Sequence, residues 1–129
     1  MPYEATWENK GIHWKYTGLL TGDELLQSNL EIYGDPRFDG LRYQIVDMLG
    51  VEAFDVSTES MEEVTLMDLG ASKTNPRLIV AVVATDLQGE RLVELYETVT
   101  GGAPWETELF VSLEEARAWI TSKCGITWS

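Results

Sequence analysis

The stretch Leu78-Ile79-Val80-Ala81-Val82-Val83-Ala84 (LIVAVVA) is the longest strongly apolar run of the 129-residue sequence. It is rich in β-branched residues and carries no polar position. An uninterrupted apolar run of this kind is typical of a strand buried on both faces, as in the centre of a parallel sheet. The run is far shorter than the ~20 residues that cross a bilayer. It therefore predicts a core strand.

The segments that follow this strand predict a helix and then a peripheral strand. Asp86 is expected to cap the helix, and Gly101-Gly102 is expected to end it. The apolar face of the helix is predicted to consist of Leu92, Tyr96 and Val99. From Trp105 to Val111 apolar and acidic residues alternate, which indicates an amphipathic edge strand with Thr107 and Leu109 on the apolar side.

Two capping boxes mark the starts of helices. In each, a hydroxyl side chain is followed three residues later by glutamate, so the two can satisfy free backbone N–H groups at the helix start. Thr21 with Glu24 opens one helix, with an apolar face of Leu26, Leu30 and Tyr33. Ser112 with Glu115 opens the last one, with an apolar face of Leu113, Ala116 and Ile120 and Trp119 beside it.

The remaining segments complete a β/α alternation. Two alternating apolar stretches joined at Asn9-Lys10-Gly11 predict an N-terminal hairpin. Leu41 to Met48 is a strand candidate, and Thr58 to about Ala71 has helical periodicity. Asn75-Pro76 then breaks the chain before the central strand. The apolar hairpin positions are Tyr3, Ala5, Trp7, Ile12, Trp14 and Tyr16.

These patterns together predict one α/β domain over residues 1–129, with elements in the order ββαβαβαβα. The fold class is a small mixed, mostly parallel five-stranded sheet with an N-terminal antiparallel hairpin and about four helices. Right-handed crossovers are expected between the parallel strands. The strand near Trp105–Val111 offers an exposed antiparallel edge for a homodimer, although Glu106 and Glu108 oppose edge pairing.

The charge balance limits the classes of partner that are expected to bind. Twenty-two acidic residues face nine basic ones, for a formal net charge of −13. Such a surface repels phosphate backbones and anionic bilayers, so nucleic acid and membranes are not expected partners, whereas basic proteins are. The first residues lack the pattern of a signal peptide, and a cytoplasmic protein is the simplest interpretation.

The inventory of reactive groups predicts no catalytic site, metal or cofactor. Cys124 is the sole cysteine and His13 the sole histidine, so an intramolecular disulfide and a thiolate metal cluster are excluded. A dyad of these two residues, or the carboxylates of Asp35 and Asp39 acting as an acid–base pair, are the enzymatic alternatives. A turn in which Arg37 pairs with either aspartate is the simpler interpretation of the latter.

The stretch Phe54-Asp55-Val56-Ser57-Thr58-Glu59-Ser60 is the principal candidate site. The simpler interpretation is a helix start, with Ser57 or Thr58 as the N-cap and Glu59 in the first turn near the positive helix end. Ser60 with Glu63 could form a shifted capping box instead. A cap can also be a contact surface, and Asp55, Ser57, Thr58 and Glu59 are the predicted partner contacts. A second candidate is an apolar pocket with Trp14, Tyr16 and Arg37 in its lining.

The order of elements, with an acidic turn after the third strand, resembles the SpoIIAA-like group of the STAS superfamily. The resemblance runs roughly from Trp7 to Ile120. The residues that carry it are Gly18-Leu19-Leu20-Thr21-Gly22, Asp35-Pro36-Arg37-Phe38-Asp39, Ile45-Val46-Asp47, Val80-Ala81-Val82-Val83, and Phe110 with Glu114-Glu115-Ala116-Arg117-Ala118-Trp119.

The resemblance implies a sheet flanked by helices, related to the lipid-carrying Sec14-like fold, and a regulator without catalysis of its own. In members that antagonise anti-sigma factors, a serine at the start of the second helix is phosphorylated within an Asp-Ser-Ser-Gly turn. Ser57 matches that serine and Asp55 the aspartate, while Val56, Thr58 and Glu59 depart from the pattern.

Two functions follow. The first is a non-enzymatic protein-interaction module, and the alternative is a carrier or sensor of a lipid-like ligand bound between sheet and helices.

Overall fold

The structure, a computed structural model, describes residues 3–97 and 105–126. The strands are β1 (Tyr3–Glu8), β2 (Gly11–Thr21), β3 (Tyr43–Asp55), β4 (Ile79–Val83) and β5 (Glu106–Phe110). The helices are α1 (Gly22–Tyr33), α2 (Thr58–Thr74), α3 (Asp86–Glu97) and α4 (Leu113–Cys124), with a 3-10 helix at Pro36–Gly40. The predicted order of elements is confirmed.

The five strands form one sheet in the order β1-β2-β3-β4-β5. The hairpin pair β1–β2 is antiparallel, and the other three pairs are parallel. A helix therefore connects each parallel pair, as parallel strands require. The mixed, mostly parallel sheet and the position of Leu78–Ala84 between two parallel neighbours are as predicted, since β4 pairs with both β3 and β5.

Helices cover the two faces of the sheet unequally. One face packs on α1, α2, α3 and the 3-10 helix, in a core that includes Trp14, Ile32, Phe38 and Leu92. The opposite face packs on α4, where Ile45 and Ala81 meet Ala116 and Ile120. The face opposite α4 therefore holds the larger core.

The third strand is longer than predicted. Tyr43–Asp55 replaces the expected Leu41–Met48. Strand β2 runs beside it to a final pair, Thr21 with Asp55, so backbone pairing with a neighbour carries β3 past the end of its apolar pattern. The candidate stretch thus begins inside the sheet, because Phe54 and Asp55 are the last residues of β3.

The predicted apolar face of α1 is wrong at Leu30, whose side chain is 59% exposed. The buried positions are Ser28 and Ile32 instead. The Ser28 hydroxyl and the Tyr16 hydroxyl share a hydrogen bond of 2.7 Å, which allows a polar residue to occupy the core side of the helix. A pattern based only on apolar residues does not predict that such a serine is buried.

The start of α3 is also corrected. Thr85, not Asp86, is the cap: its hydroxyl accepts from the Gln88 backbone N–H at 3.1 Å, and the Gln88 side chain accepts from the Thr85 N–H at 2.8 Å. This reciprocal pair is a capping box with glutamine in place of glutamate. Of the predicted face Leu92 is buried, while the side chain of Tyr96 and residues Val99, Gly101 and Gly102 lie outside the described part.

The last strand is peripheral as predicted, but its edge is not antiparallel, and of its predicted apolar side only Trp105 is buried. Strand β5 pairs in parallel with β4. Leu109 and Val111 are 43% and 54% exposed. Phe110 packs on Trp119 of α4 instead, with ring centroids 5.4 Å apart. The alternation of residues predicts that the strand has two different faces. Which part of each face a helix covers depends on how the chain connects the strand to the helix.

Candidate functional site

The candidate stretch forms the start of α2, with Ser57 as its N-cap. The Ser57 hydroxyl oxygen accepts from the backbone N–H of Ser60 at 3.1 Å and donates to the Ser60 hydroxyl at 3.1 Å. Its carbonyl accepts the first helical bond from the Met61 N–H at 3.0 Å. The prediction that Ser57 or Thr58 caps the helix is therefore confirmed for Ser57.

A hydrophobic contact holds this helix start in place. Val56, before the cap, and Met61, in the first turn, are buried together and pack on Leu25 of α1. Apolar residues at these two positions form a hydrophobic staple, which fixes the angle at which the chain enters a helix. Gly22 of α1 lies against the same turn, because a Cβ there would fall 2.2 Å from the Ser60 hydroxyl oxygen.

The outer side of the stretch is exposed and acidic. Asp55, Ser57, Thr58 and Glu59 are all exposed, while Val56 between them is buried. Beside it, a groove of about 360 Å³ between β3 and α3 is lined by Phe54 and by Leu87, which is 77% exposed. The structure therefore brings acidic and apolar groups close together on one part of the surface.

The three residues of the predicted apolar pocket lie in two places. Trp14 and Tyr16 are 1% and 2% exposed in the core, with stacked rings whose centroids are 6.1 Å apart. The Trp14 indole donates to the Gln44 side chain at 3.1 Å. Arg37 is exposed, and its guanidinium lies 3.8 Å from the centroid of the Trp7 ring.

The groups considered for catalysis are also distributed over the molecule. Arg37 forms two side-chain hydrogen bonds with Asp35, at 3.0 and 2.8 Å, and these lower the pKa of Asp35 to about 2. His13 lies 3.4 Å from Asp47 on the α4 face of the sheet. Cys124 lies at the end of α4, where burial raises the pKa of its thiol.

Sequence reasoning missed a polar cluster on the α4 face. The Glu8 carboxylate accepts two hydrogen bonds from Arg117, at 3.0 and 2.8 Å, and one from the Tyr43 hydroxyl. Burial and the neighbouring carboxylate raise the pKa of Tyr43 well above its usual value. These residues belong to β1, β3 and α4, so no local sequence pattern connects them. The hydrogen bonds from Arg117 to Glu8 join α4 to the hairpin.

Among residues 3–97 and 105–126, no group of three or more histidine, cysteine, aspartate or glutamate side chains is arranged to hold a metal ion. No helix within the same residues has both the length and the apolar composition to cross a membrane.

Comparisons with known proteins identify the architecture. No family model and no curated protein matches the sequence. Among solved structures, the anti-sigma factor antagonist SpoIIAA in its unphosphorylated form aligns with a TM-score of 0.56 and 11% identity, over 93% of this chain and 97% of that one. The chain has a SpoIIAA-like fold. The resemblance inferred from the order of elements is thereby confirmed at the level of the fold.

A second structure has the same SpoIIAA-like fold. It is an uncharacterised protein of the DUF3478 family from Shewanella loihica PV-4, with a TM-score of 0.50 and 16% identity, over 91% of this chain and 90% of that one. Both alignments span nearly the full length of the compared chains. Nearly the whole chain therefore aligns with a SpoIIAA-like framework.

Proposed function

We propose that this chain is a regulatory protein-interaction module without catalysis of its own, and that it binds a protein partner through Asp55, Ser57, Thr58 and Glu59. The observation that carries the proposal is the exposure of these four side chains on a helix start that is held by a buried staple. A surface that is already ordered loses little conformational freedom when a partner binds.

The SpoIIAA-like fold supports the regulatory part of this proposal, because the protein of that name is described as an anti-sigma factor antagonist. The charge of the surface supports a partner with a basic contact region, since Asp55 and Glu59 add to a net charge of −13. Complementary charge of this kind speeds encounter and selects among partners.

We propose that phosphorylation of Ser57 controls partner binding. A phosphate on it would lie at the N-terminus of α2, where backbone N–H groups favour an anion. It would also add about −1.5 to −2 charges beside Asp55 and Glu59, which oppose it. We therefore expect phosphorylation of Ser57 to weaken partner binding and to leave the helix folded.

The test compares two helix starts of the same design. The immobilised chain is used to capture proteins from its host. Each variant at the start of α2 has a control variant at the start of α4, where Ser112 is the N-cap and Glu114 is in the first turn. Ser57→Asp and Glu59→Lys are expected to remove a captured partner. Ser112→Asp and Glu114→Lys, which make the same chemical changes, are expected to retain it.

Two outcomes would contradict the proposal. One is that the unaltered chain captures no protein above the level of an empty matrix. The other is that the α4 variants lose the partner as fully as the α2 variants, because the effect would then reflect total charge. Circular dichroism of all four variants keeps a loss of folding from being taken for a loss of contact.

A further inference from the structure

A second groove lies on the other side of α3. It has a volume of about 520 Å³ and runs between the first turns of α3 and the end of β5. Its lining includes Ala84, Gly89, Leu109 and Val111, and it contains no residue of the Asp55–Glu59 surface. It is therefore separate from the contact surface proposed above.

The floor of this groove is apolar and partly uncovered. Leu109 and Val111 are 43% and 54% exposed at the edge of the sheet. Gly89 of α3 faces Leu109: a Cβ on this glycine would lie 3.9 Å from the Leu109 Cδ1, which is an ordinary contact distance. The described part of the fold thus has room for a side chain at Gly89.

Glycine is an unfavourable residue at this helix position. Glycine inside a helix is less favourable than alanine by roughly 0.5–1 kcal/mol, because it loses more backbone freedom on folding. Internal packing does not require the glycine here, since the added methyl group would fit. The absence of a side chain keeps the groove open above Leu109, where an occupant could rest.

The rim of the groove is acidic. Asp86, Glu90 and Glu94 line it, and no lysine or arginine does. Arg91 forms an ion pair with Glu94 at 3.4 Å. Asp86 and Glu90 form no ion pair with the other described residues. An occupant of this groove would therefore combine apolar groups with positive charge.

We propose that the groove binds a basic amphipathic segment of a partner protein, with apolar side chains over Leu109 and Val111 and lysine or arginine facing Asp86 and Glu90. A second copy of this chain would bring a net charge of −13 to the same acidic rim and be repelled. A small molecule would leave much of its surface in water here, whereas sites for small molecules bury most of theirs.

The test uses a labelled synthetic peptide of leucine and lysine, and the same peptide with glutamate in place of lysine. Binding to the full chain is measured by fluorescence anisotropy at physiological salt, where long-range charge effects are screened. The lysine peptide is expected to bind saturably and the glutamate peptide is not. Amide shift changes in an NMR titration are expected at Ala84–Glu94 and Leu109–Val111.

Matched variants locate the binding. Gly89→Ala narrows the groove and is compared with Gly70→Ala, a glycine in α2 with nothing near its Cβ position. The double variant Asp86→Asn with Glu90→Gln is compared with Glu62→Gln with Glu63→Gln, which removes the same charge from α2. The groove variants are expected to weaken binding about fivefold or more, and the α2 variants by less than about twofold.

Equal weakening within either matched pair would overturn the proposal, as would a lysine peptide that does not bind the unaltered chain. Glu59→Lys separates this proposal from the one above. It is expected to leave peptide binding within about twofold of the unaltered chain, and a loss as large as that of the groove variants would show a single shared surface. Failure of the α2 surface in partner capture leaves the peptide result unaffected.

Discussion

Glu8 and Arg117 are 109 positions apart in the sequence, and two hydrogen bonds of 3.0 and 2.8 Å join their side chains. The pair connects the first strand to the last helix. Tyr43 donates to the same carboxylate. Burial disfavours the charged form of Glu8, but the hydrogen bonds from Arg117 and Tyr43 outweigh it and hold the pKa of this carboxyl below its usual 4.5.

Replacing Glu8 by glutamine should therefore destabilise the fold in a pH-dependent way. The free energy of unfolding is expected to fall by ~1–2 kcal/mol at neutral pH, because charged hydrogen bonds are lost. A lowered pKa means that this stabilisation is present above pH 4.5 and is lost as the pH falls through the folded value. Urea unfolding of Glu8→Gln and the unaltered chain, from pH 3 to 7, should show a difference that shrinks with acid.

The control is Glu4→Gln on the same strand. Glu4 is exposed, so its replacement should change the free energy of unfolding by no more than ~0.5 kcal/mol. An equal loss in both variants, or a loss in Glu8→Gln that does not shrink as the pH falls below 4.5, would contradict the role assigned to the pair.

Gly11 should not tolerate a side chain. The buried ring of Tyr43 lies over it, and a Cβ on Gly11 would fall 2.0 Å from the Tyr43 Cζ. Gly11→Ala is expected to cost ~3 kcal/mol because the ring must move within a packed core. Gly70→Ala, which meets open space in α2, should instead gain ~0.5–1 kcal/mol. Chemical denaturation of the two variants should give opposite signs.

The cap at Ser57 can be separated from its proposed contact role. Ser57→Ala should lower the free energy of unfolding by ~1 kcal/mol, because the Ser60 N–H loses its acceptor. Ser57→Asp should stay close to the unaltered chain, since aspartate is also a good N-cap. If Ser57→Asp is destabilised as much as Ser57→Ala, a loss of partner binding in that variant would no longer indicate a lost contact.

Gly22 and Ser60 should behave as a coupled pair. A Cβ on Gly22 would lie 2.2 Å from the Ser60 hydroxyl oxygen and 2.5 Å from its Cβ. Gly22→Ala is therefore expected to cost ~1–3 kcal/mol. Adding Ser60→Gly removes both clashing atoms, so a double-mutant cycle should show a favourable coupling of ~1 kcal/mol or more. If the losses in the free energy of unfolding are simply additive, the added methyl group at Gly22 does not clash with Ser60.

Asp68 should make the fold more stable in acid. Burial raises the pKa of its carboxyl to about 6, although the hydrogen bond from Tyr33 partly opposes this shift. A raised pKa means that this residue's contribution to stability is fully present below the usual value of 3.8 and is lost as the pH rises through about 6. Asp68→Asn should therefore gain about 2–3 kcal/mol at pH 7 and nothing near pH 3. An NMR titration of the Asp68 carboxyl with its midpoint near 4 would contradict this.

Local signals in the sequence predicted the elements well. The N-caps at Thr21 and Ser112 are present as expected: their hydroxyl oxygens accept from the backbone N–H groups of Glu24 and Glu115, each at 3.2 Å. The predictions failed where a choice between faces was needed. Leu30 and Leu109 lie on periodic apolar stripes, yet both are exposed, because neighbouring elements decide which part of a stripe is covered.

The sequence by itself determined the order ββαβαβαβα, the place of Leu78–Ala84 between parallel neighbours and a helix start at Ser57 or Thr58. These depend on periodicity, caps and turns, whose energies act within a few residues. Only the tertiary structure decided that Glu8 meets Arg117, that the Tyr43 ring excludes a side chain at Gly11, and that Gly89 faces Leu109 across a groove. Each of these contacts joins residues from different elements, so it exists only after the sheet and its helices have packed.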